Sequence, residues 1–181
     1  MSAIIASEIL FKYSVVTGSA GNSTSGTANG SLGKYISTTA WAGGSLNDLY
    51  DDISGAENAA STVDYRGIFV HNSNSANTFE NPVVYLSSEV AGGASCAVGA
   101  DTTATSALGS ASAQGLTIAN ETTAPAGVTF SSPTTAGAGV ALSNIPVGNV
   151  KQFWVRRTAA NSSALSADGV TIAVAGDTGS L

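Results

Sequence analysis

The sequence predicts an all-β domain, an antiparallel β-sandwich of jelly-roll-like form with one short helix. Three observations carry that expectation. Charged residues make up only 10% of the 181, against about 25% in an ordinary soluble domain, and the shortage of Lys and Glu leaves little to clothe a helical bundle. Gly, Ser, Thr, Asn and Ala fill most of the chain between short apolar runs, a pattern that suits many brief strands joined by tight turns. The run 65–72 has apolar groups on both sides of its alternation, Ile68 and Val70 on one and Tyr65, Gly67 and Phe69 on the other. A strand of that kind is covered on both faces and therefore central.

The elements follow in order. Residues 9–16 read as a first strand. Residues 17–30 contain almost nothing that could be buried, so they are expected to form a long loop or an arm ordered only against something else. The chain accordingly divides into an N-terminal strand and flexible arm at 1–30 and a single β-sandwich domain at 31–181. A brief extended segment at 32–37 precedes Trp41, a large residue among small ones. Leu46, Leu49, Tyr50 and Ile53 fall at i, i+3, i+4 and i+7, which predicts a helix over 45–54 with Ser45 as N-cap and Gly55 as left-handed C-cap. After the central run, the polar stretch 72–81 reads as the loop of a hairpin joining it to a strand that begins at Pro82, where a proline removes no interior ladder bond. No strand can be placed within 91–115. Short alternating runs at 116–119, 128–130 and 140–142 lead to two clear strands, 151–157 and 170–174.

The bulk charge narrows the function classes. The formal net charge is −6, with six Lys and Arg residues, and Lys151, Arg156 and Arg157 form the only local cationic cluster. Direct nucleic-acid binding needs more clustered cations than this. A weakly charged surface is accounted for either by partners that cover it or by compositional drift toward small residues. No apolar run approaches the ~20 residues of a membrane helix, and the first residues lack a basic segment, so neither membrane insertion nor a signal peptide is expected. The lone Cys96 excludes an intrachain disulfide and reads as a buried, inert thiol.

The polar constellations point away from catalysis, and no cofactor or metal is expected. Asp48, Asp51, Asp52, Glu57 and Asp64 are the densest carboxylates, but on the expected helix they form a solvated face rather than a bent Ca²⁺ loop. His71 is the single histidine, at the end of the central strand, and no nucleophile-elbow pattern accompanies it. No Gly-Lys-Ser/Thr sequence follows a strand, so there is no phosphate loop. Sequons beginning at Asn22, Asn29, Asn120 and Asn161 arise by chance in a chain so rich in Ser and Thr.

A resemblance enters on the order of five motifs. These are Ser31-Leu32-Gly33, Tyr65-Arg66-Gly67-Ile68-Phe69-Val70-His71-Asn72, the stretch from Asn120 through Pro125-Ala126-Gly127 to Phe130, Phe153-Trp154-Val155-Arg156-Arg157-Thr158, and the closing run from Val170 to Thr178. Together they resemble a group of small virion structural proteins of tailed bacteriophages, from about residue 31 onward. The segment 17–30 is longer than that pattern. The resemblance implies a non-enzymatic protein of the virion, by analogy a capsid decoration or cement protein on the outer head surface. Its implied partners are the phage major capsid protein and further copies of itself, as a homotrimer. The other reading is a receptor- or glycan-binding module on a tail, fibre or head–tail component, with Trp41, Tyr35 and Tyr50 as stacking surfaces. For a subunit interface the candidates are Arg156, Arg157, Trp41 and Tyr35. On an alternating strand one of the two arginines should face outward, toward a carboxylate of a neighbouring subunit. An intrachain ion pair with an acidic residue such as Asp168 or Asp177 accounts for the same residues.

Overall fold

The computed structural model describes residues 3–19, 24–109 and 112–179. They form an all-β domain of two antiparallel sheets and one short helix. In chain order the elements are β1 (Ile9–Val15), β2 (Tyr35–Ala40), α1 (Gly55–Ala60), β3 (Val63–Asn72), β4 (Phe79–Glu89), β5 (Ser95–Ala100), β6 (Ser106–Ala107), β7 (Val140–Ala141), β8 (Asn149–Thr158) and β9 (Val170–Thr178). The larger sheet runs β2-β1-β3-β8-β5, with β6 also on β8, and the smaller runs β7-β4-β9.

The expected central strand is central. β3 lies between β1 and β8, in unbroken register with β8 from Val63 opposite Thr158 to His71 opposite Val150. Its alternation divides two environments. Ile68 and Val70 face the smaller sheet and share a core with Phe153, Val155, Val98, Val84, Leu86 and Ile172. Phe69 faces the opposite way, into a second cluster with Ile36 and Val150.

That opposite face is covered by irregular chain. Residues 114–118 lie along 32–36: Lys34 N–H donates to the Leu116 carbonyl at 2.9 Å, and Ile118 N–H to the Leu32 carbonyl at 3.0 Å. Asp101 secures this cover. Its Oδ2 accepts from Trp154 Nε1 at 2.7 Å and from Leu116 N–H at 3.0 Å, and Lys151 Nζ donates to the Asp101 carbonyl at 2.7 Å. Trp154 is fully buried here, with Gly67 and Gly99 as its cross-strand neighbours. A glycine on each side leaves room for an indole on an otherwise crowded face.

Four local expectations are corrected. No helix spans 45–54: Gly43, Gly44 and Asn47 have positive φ, and Leu46 is 81% exposed. The carbonyls of Asp48 and Asp51, which a helix would use, instead accept from the Tyr13 hydroxyl and from Arg157 Nη1. The helix begins only where the expected one ends, and Ser54 caps it: Glu57 N–H donates to Ser54 Oγ at 3.3 Å, and Ser54 N–H to Glu57 Oε2 at 2.7 Å. Gly55 is its first residue, not its C-cap.

The 72–81 stretch is no hairpin loop, because β3 and β4 belong to different sheets. A knot of asparagines makes the crossing. Asn72 Nδ2 donates to the carbonyls of Asn77 and Ile145, both at 2.9 Å, and Asn74 Oδ1 accepts from Ala76 and Asn77 N–H at 2.9 and 2.7 Å. Pro82 is not the first residue of its strand. It sits inside β4, at a bulge between Glu80 and Val83 where the ladder is already interrupted. Finally, the runs at 116–119 and 128–130 form no strands, only isolated bridges at Thr117 and, just beyond, at Ser131, whereas β5 and β6 arise in the stretch that offered no signal.

Residues 24–30 lie against the domain, with Thr38 N–H donating to the Thr24 carbonyl at 2.9 Å and Gly26 N–H to Thr39 Oγ1 at 3.1 Å. Residues 20–23 of the expected arm fall outside the described residues.

One contact in the outer cover is unusually close. A Cβ added at Gly115 would stand 1.8 Å from Gln152 Oε1 and 3.0 Å from Gln152 Cβ, and Gln152 is fully buried. Gly115→Ala is therefore expected to destabilise the domain by about 1–3 kcal/mol through overpacking. In urea denaturation, Gly115→Ala should cost less in a Gln152→Ala background than in the wild type, a coupling that marks the clash itself.

Candidate functional site

The largest concentration of charge lies at one end of the core-facing side of β3 and β8. The register places Asp64 opposite Arg157 and Arg66 opposite Val155, so alternation turns all three polar side chains toward the inside. Such charges persist in a core only when paired. Arg157 Nη2 donates to Asp64 Oδ2 at 2.7 Å and Nε to the same oxygen at 3.2 Å, while Nη2 lies 3.5 Å from Asp51 Oδ1. Arg66, with no exposed surface, pairs through Nη2 with Glu121 Oε2 and reaches Asn29 Oδ1 at 3.3 Å.

Tyr50 fills the space between the two guanidinium groups. Arg66 Cζ lies 5.2 Å and Arg157 Cζ 4.6 Å from its ring centroid, a double cation–π arrangement. Its hydroxyl donates to the Val155 carbonyl at 2.8 Å. Burial holds the phenol well above its ordinary pKa, so it stays a neutral donor. Beside this stack a shallow depression of about 410 Å³ is lined by Tyr13, Thr27, Ala28, Asn29, Asn47 and Asp51.

The arrangement binds together parts of one chain. Asp51 comes from the 41–53 segment, Asn29 from the N-terminal loop and Glu121 from the outer cover, and all three converge on two arginines of the central strands. The carboxylates that stood out in the sequence do not form one cluster: Asp64 and Asp51 serve Arg157, and Glu57 caps α1. Among the described residues, no group of three His, Cys, Asp or Glu side chains is placed to hold a metal ion, and no helix is long and apolar enough to cross a membrane.

The other predicted residues lie apart. Arg156 projects from the same side of β8 as Trp154, its guanidinium 5.4 Å from the Phe130 ring centroid. Arg157 is directed inward and forms an intrachain ion pair, as the second reading expected, though with Asp64 and Asp51 and not with the examples Asp168 and Asp177. Asp168 accepts from Ala94 N–H instead, at 2.6 Å. Trp41 is half-buried against Phe11, ring centroids 5.7 Å apart, and Tyr35 is half-buried beneath Lys34 Nζ. Cys96 is buried, and burial foremost, with Glu89 next, pushes its thiol up to about 12, so it stays protonated at neutral pH. His71 is 8% exposed with Nδ1 unpartnered. Burial and the nearby charge of Lys12 lower its pKa.

Sequence reasoning missed Arg66, Glu121, Asp101 and Lys151. The available signal was parity: Asp64 and Arg66 share the alternation of Ile68 and Val70, which obliges partners inside the fold. Compared with protein-family models, curated proteins and solved structures, the chain matches none of them.

Asp64→Ala leaves the Arg157 guanidinium without its closest anion and is expected to cost about 3–5 kcal/mol. Glu121→Gln keeps an acceptor for Arg66 but removes its anion; the carboxylate is 41% exposed while the guanidinium has no exposed surface, so the expected cost is about 1–3 kcal/mol, below that of Asp64→Ala, and the contrast in denaturant midpoints separates the two pairs. For His71, the native pKa lies below the ordinary 6.5, so the unfolded chain binds the proton first as pH falls. The stabilising contribution is complete above about 6.5 and is lost on acidification through the native value. Thermal unfolding should show this acid-side decline in the wild type and a flatter profile in His71→Gln.

Proposed function

We propose that this chain is a non-enzymatic structural protein of a tailed-bacteriophage virion, a decoration or cement protein on the outer head surface. The observation that carries the reading is how the cations are used. Arg66, Lys151 and Arg157 are buried and bonded within the chain, Arg156 stacks on Phe130, and Lys34 lies over Tyr35. What remains outside is chiefly small neutral residues with scattered carboxylates such as Asp51, Asp52, Glu89 and Asp177, a surface suited to broad contact with other proteins rather than to positioning a reactant. The resemblance of the five ordered motifs supplies the virion context, and within it the two-sheet domain is a jelly-roll-like sandwich. Its partners are the major capsid protein and other copies of itself.

The mechanism is mass action. A protein that binds only the assembled shell stabilises it by about RT ln(1 + [L]/Kd) per site, and an oligomer that engages several sites at once multiplies that effect. In the tail or fibre reading the three aromatics would stack on a receptor glycan. Tyr50, half-buried like Trp41 and Tyr35, already holds the guanidinium groups of Arg66 and Arg157 against its ring.

Copy number decides between the two locations. Quantitative mass spectrometry of purified virions of the phage that encodes the chain is expected to find hundreds of copies per particle. A few to a few dozen would place it on a tail or fibre, and none would remove the virion reading altogether.

A further inference from the structure

The sheet edges of this fold are treated unequally. The outer edge of β2 is met by Thr24 and by Gln114, whose Oε1 accepts from Ile36 N–H at 3.0 Å. The outer edge of β5 is met by Ser131, which exchanges backbone hydrogen bonds with Val98 at 2.8 and 3.0 Å. From there the chain crosses to the smaller sheet. The Pro133 carbonyl accepts from Leu86 N–H at 2.8 Å, and β7, which is only two residues long, continues along the same side of β4. The far side of β9 has no such cover: no described backbone group pairs with residues 170–176 there.

An uncovered edge is normally blunted by charge, by proline or by a bulge in the edge strand itself. β9 has none of these between Val170 and Gly176, a run of Val-Thr-Ile-Ala-Val-Ala-Gly. Both irregularities of the β4–β9 ladder place the extra residue on β4, so the edge strand is the regular one. Such an edge is a template for another strand.

We propose that β9 is a self-association edge, pairing antiparallel with β9 of a second copy to join two small sheets into one continuous sheet. Three features select a second copy. With only one long edge open among the described residues, a ring has no complementary edge to close on, whereas a two-fold contact needs the same edge twice. A two-fold axis perpendicular to the sheet sets one residue against its own copy, and the midpoint of the neutral run is Ala173. Centred there, Ile172 faces the partner's Val174, Thr171 its Ala175 and Val170 its Gly176. The flanking acids also avoid one another, since Asp177 then faces Gly169 and Asp168 faces Thr178. A chain of net charge −6 can therefore meet its copy along seven residues without opposing like charges. This deepens the architectural reading by naming one partner and its surface, and it replaces the expected trimer with a two-fold contact.

The test uses the full chain in solution. Sedimentation equilibrium at tens of micromolar is expected to give twice the chain mass, and amides of β9 should exchange with deuterium more slowly as concentration rises. Ala173→Lys sets two cations face to face and should weaken association about tenfold or more, with circular dichroism showing the same fold. Ala173→Cys should form a disulfide-linked dimer on mild oxidation, faster than Thr171→Cys, which faces Ala175, or Thr122→Cys on an exposed loop. A chain that stays monomeric with β9 amides unprotected overturns the proposal. So does a dimer or trimer in which Ala173→Cys links no faster than Thr122→Cys and Ala173→Lys changes nothing. Either result concerns the free protein and leaves its place in the virion to the copy count.

Discussion

The pairing of β3 with β8 is the constraint from which the rest of the structure follows. Its register runs without a bulge from Val63 opposite Thr158 to His71 opposite Val150. That one alignment decides which side chains face the smaller sheet and which face the irregular cover. A shift by a single residue would exchange the two sets, turning Trp154 toward the smaller sheet and Phe153 outward. The same alignment sets Asp64 across from Arg157, so the buried ion pair and the apolar core are products of one registration.

Each side of that strand pair meets the same difficulty, polar groups enclosed by apolar ones, and meets it differently. On the core side, two guanidinium groups are neutralised by carboxylates drawn from separate segments and divided by the Tyr50 ring. On the outer side, a single carboxylate, Asp101, collects the Trp154 indole and the Leu116 amide and so fixes a cover that contains little regular structure. Small residues make the outer arrangement possible. Gly67 and Gly99 flank the indole, and Gly115 lets the cover approach Gln152. The compositional bias toward Gly, Ala and Ser is thus partly a packing requirement of a sheet covered by loops.

Much of this was legible in the chain, and the illegible parts share a cause. The centrality of β3 was visible because its alternation is apolar on both sides, and β1, β8 and β9 had enough Val, Ile and aromatics to announce themselves. The 45–54 segment had a helical stripe, but Tyr13 and Arg157, distant in sequence, take the carbonyls that such a helix needs. The hairpin expected over 72–81 failed because alternation reports burial and not which sheet a strand joins. β5, written in Ser, Cys, Ala, Val and Gly, is a strand through its neighbours rather than through its own preferences. Of the candidate site, Arg157 was marked and its inward course was open to parity, but Tyr50 between two arginines and Glu121 on Arg66 depend on contacts between segments that no local pattern records.

The long reach of the central ladder also bears on how the molecule is made. Because Val63 finds its partner at Thr158, the whole stretch between them must leave the ribosome before the strand pair at the heart of the molecule can close. Until then Ile68, Phe69 and Val70 have β1 beside them but lack Val150, Phe153 and Val155, the core partners that β8 supplies. Pairings so distant along a chain assemble slowly, since the entropy of a large loop must be lost before any contact compensates for it. The newly made chain is therefore exposed to aggregation while the stretch from β3 to β8 is being made, and the scarcity of bulky apolar residues elsewhere lowers that hazard.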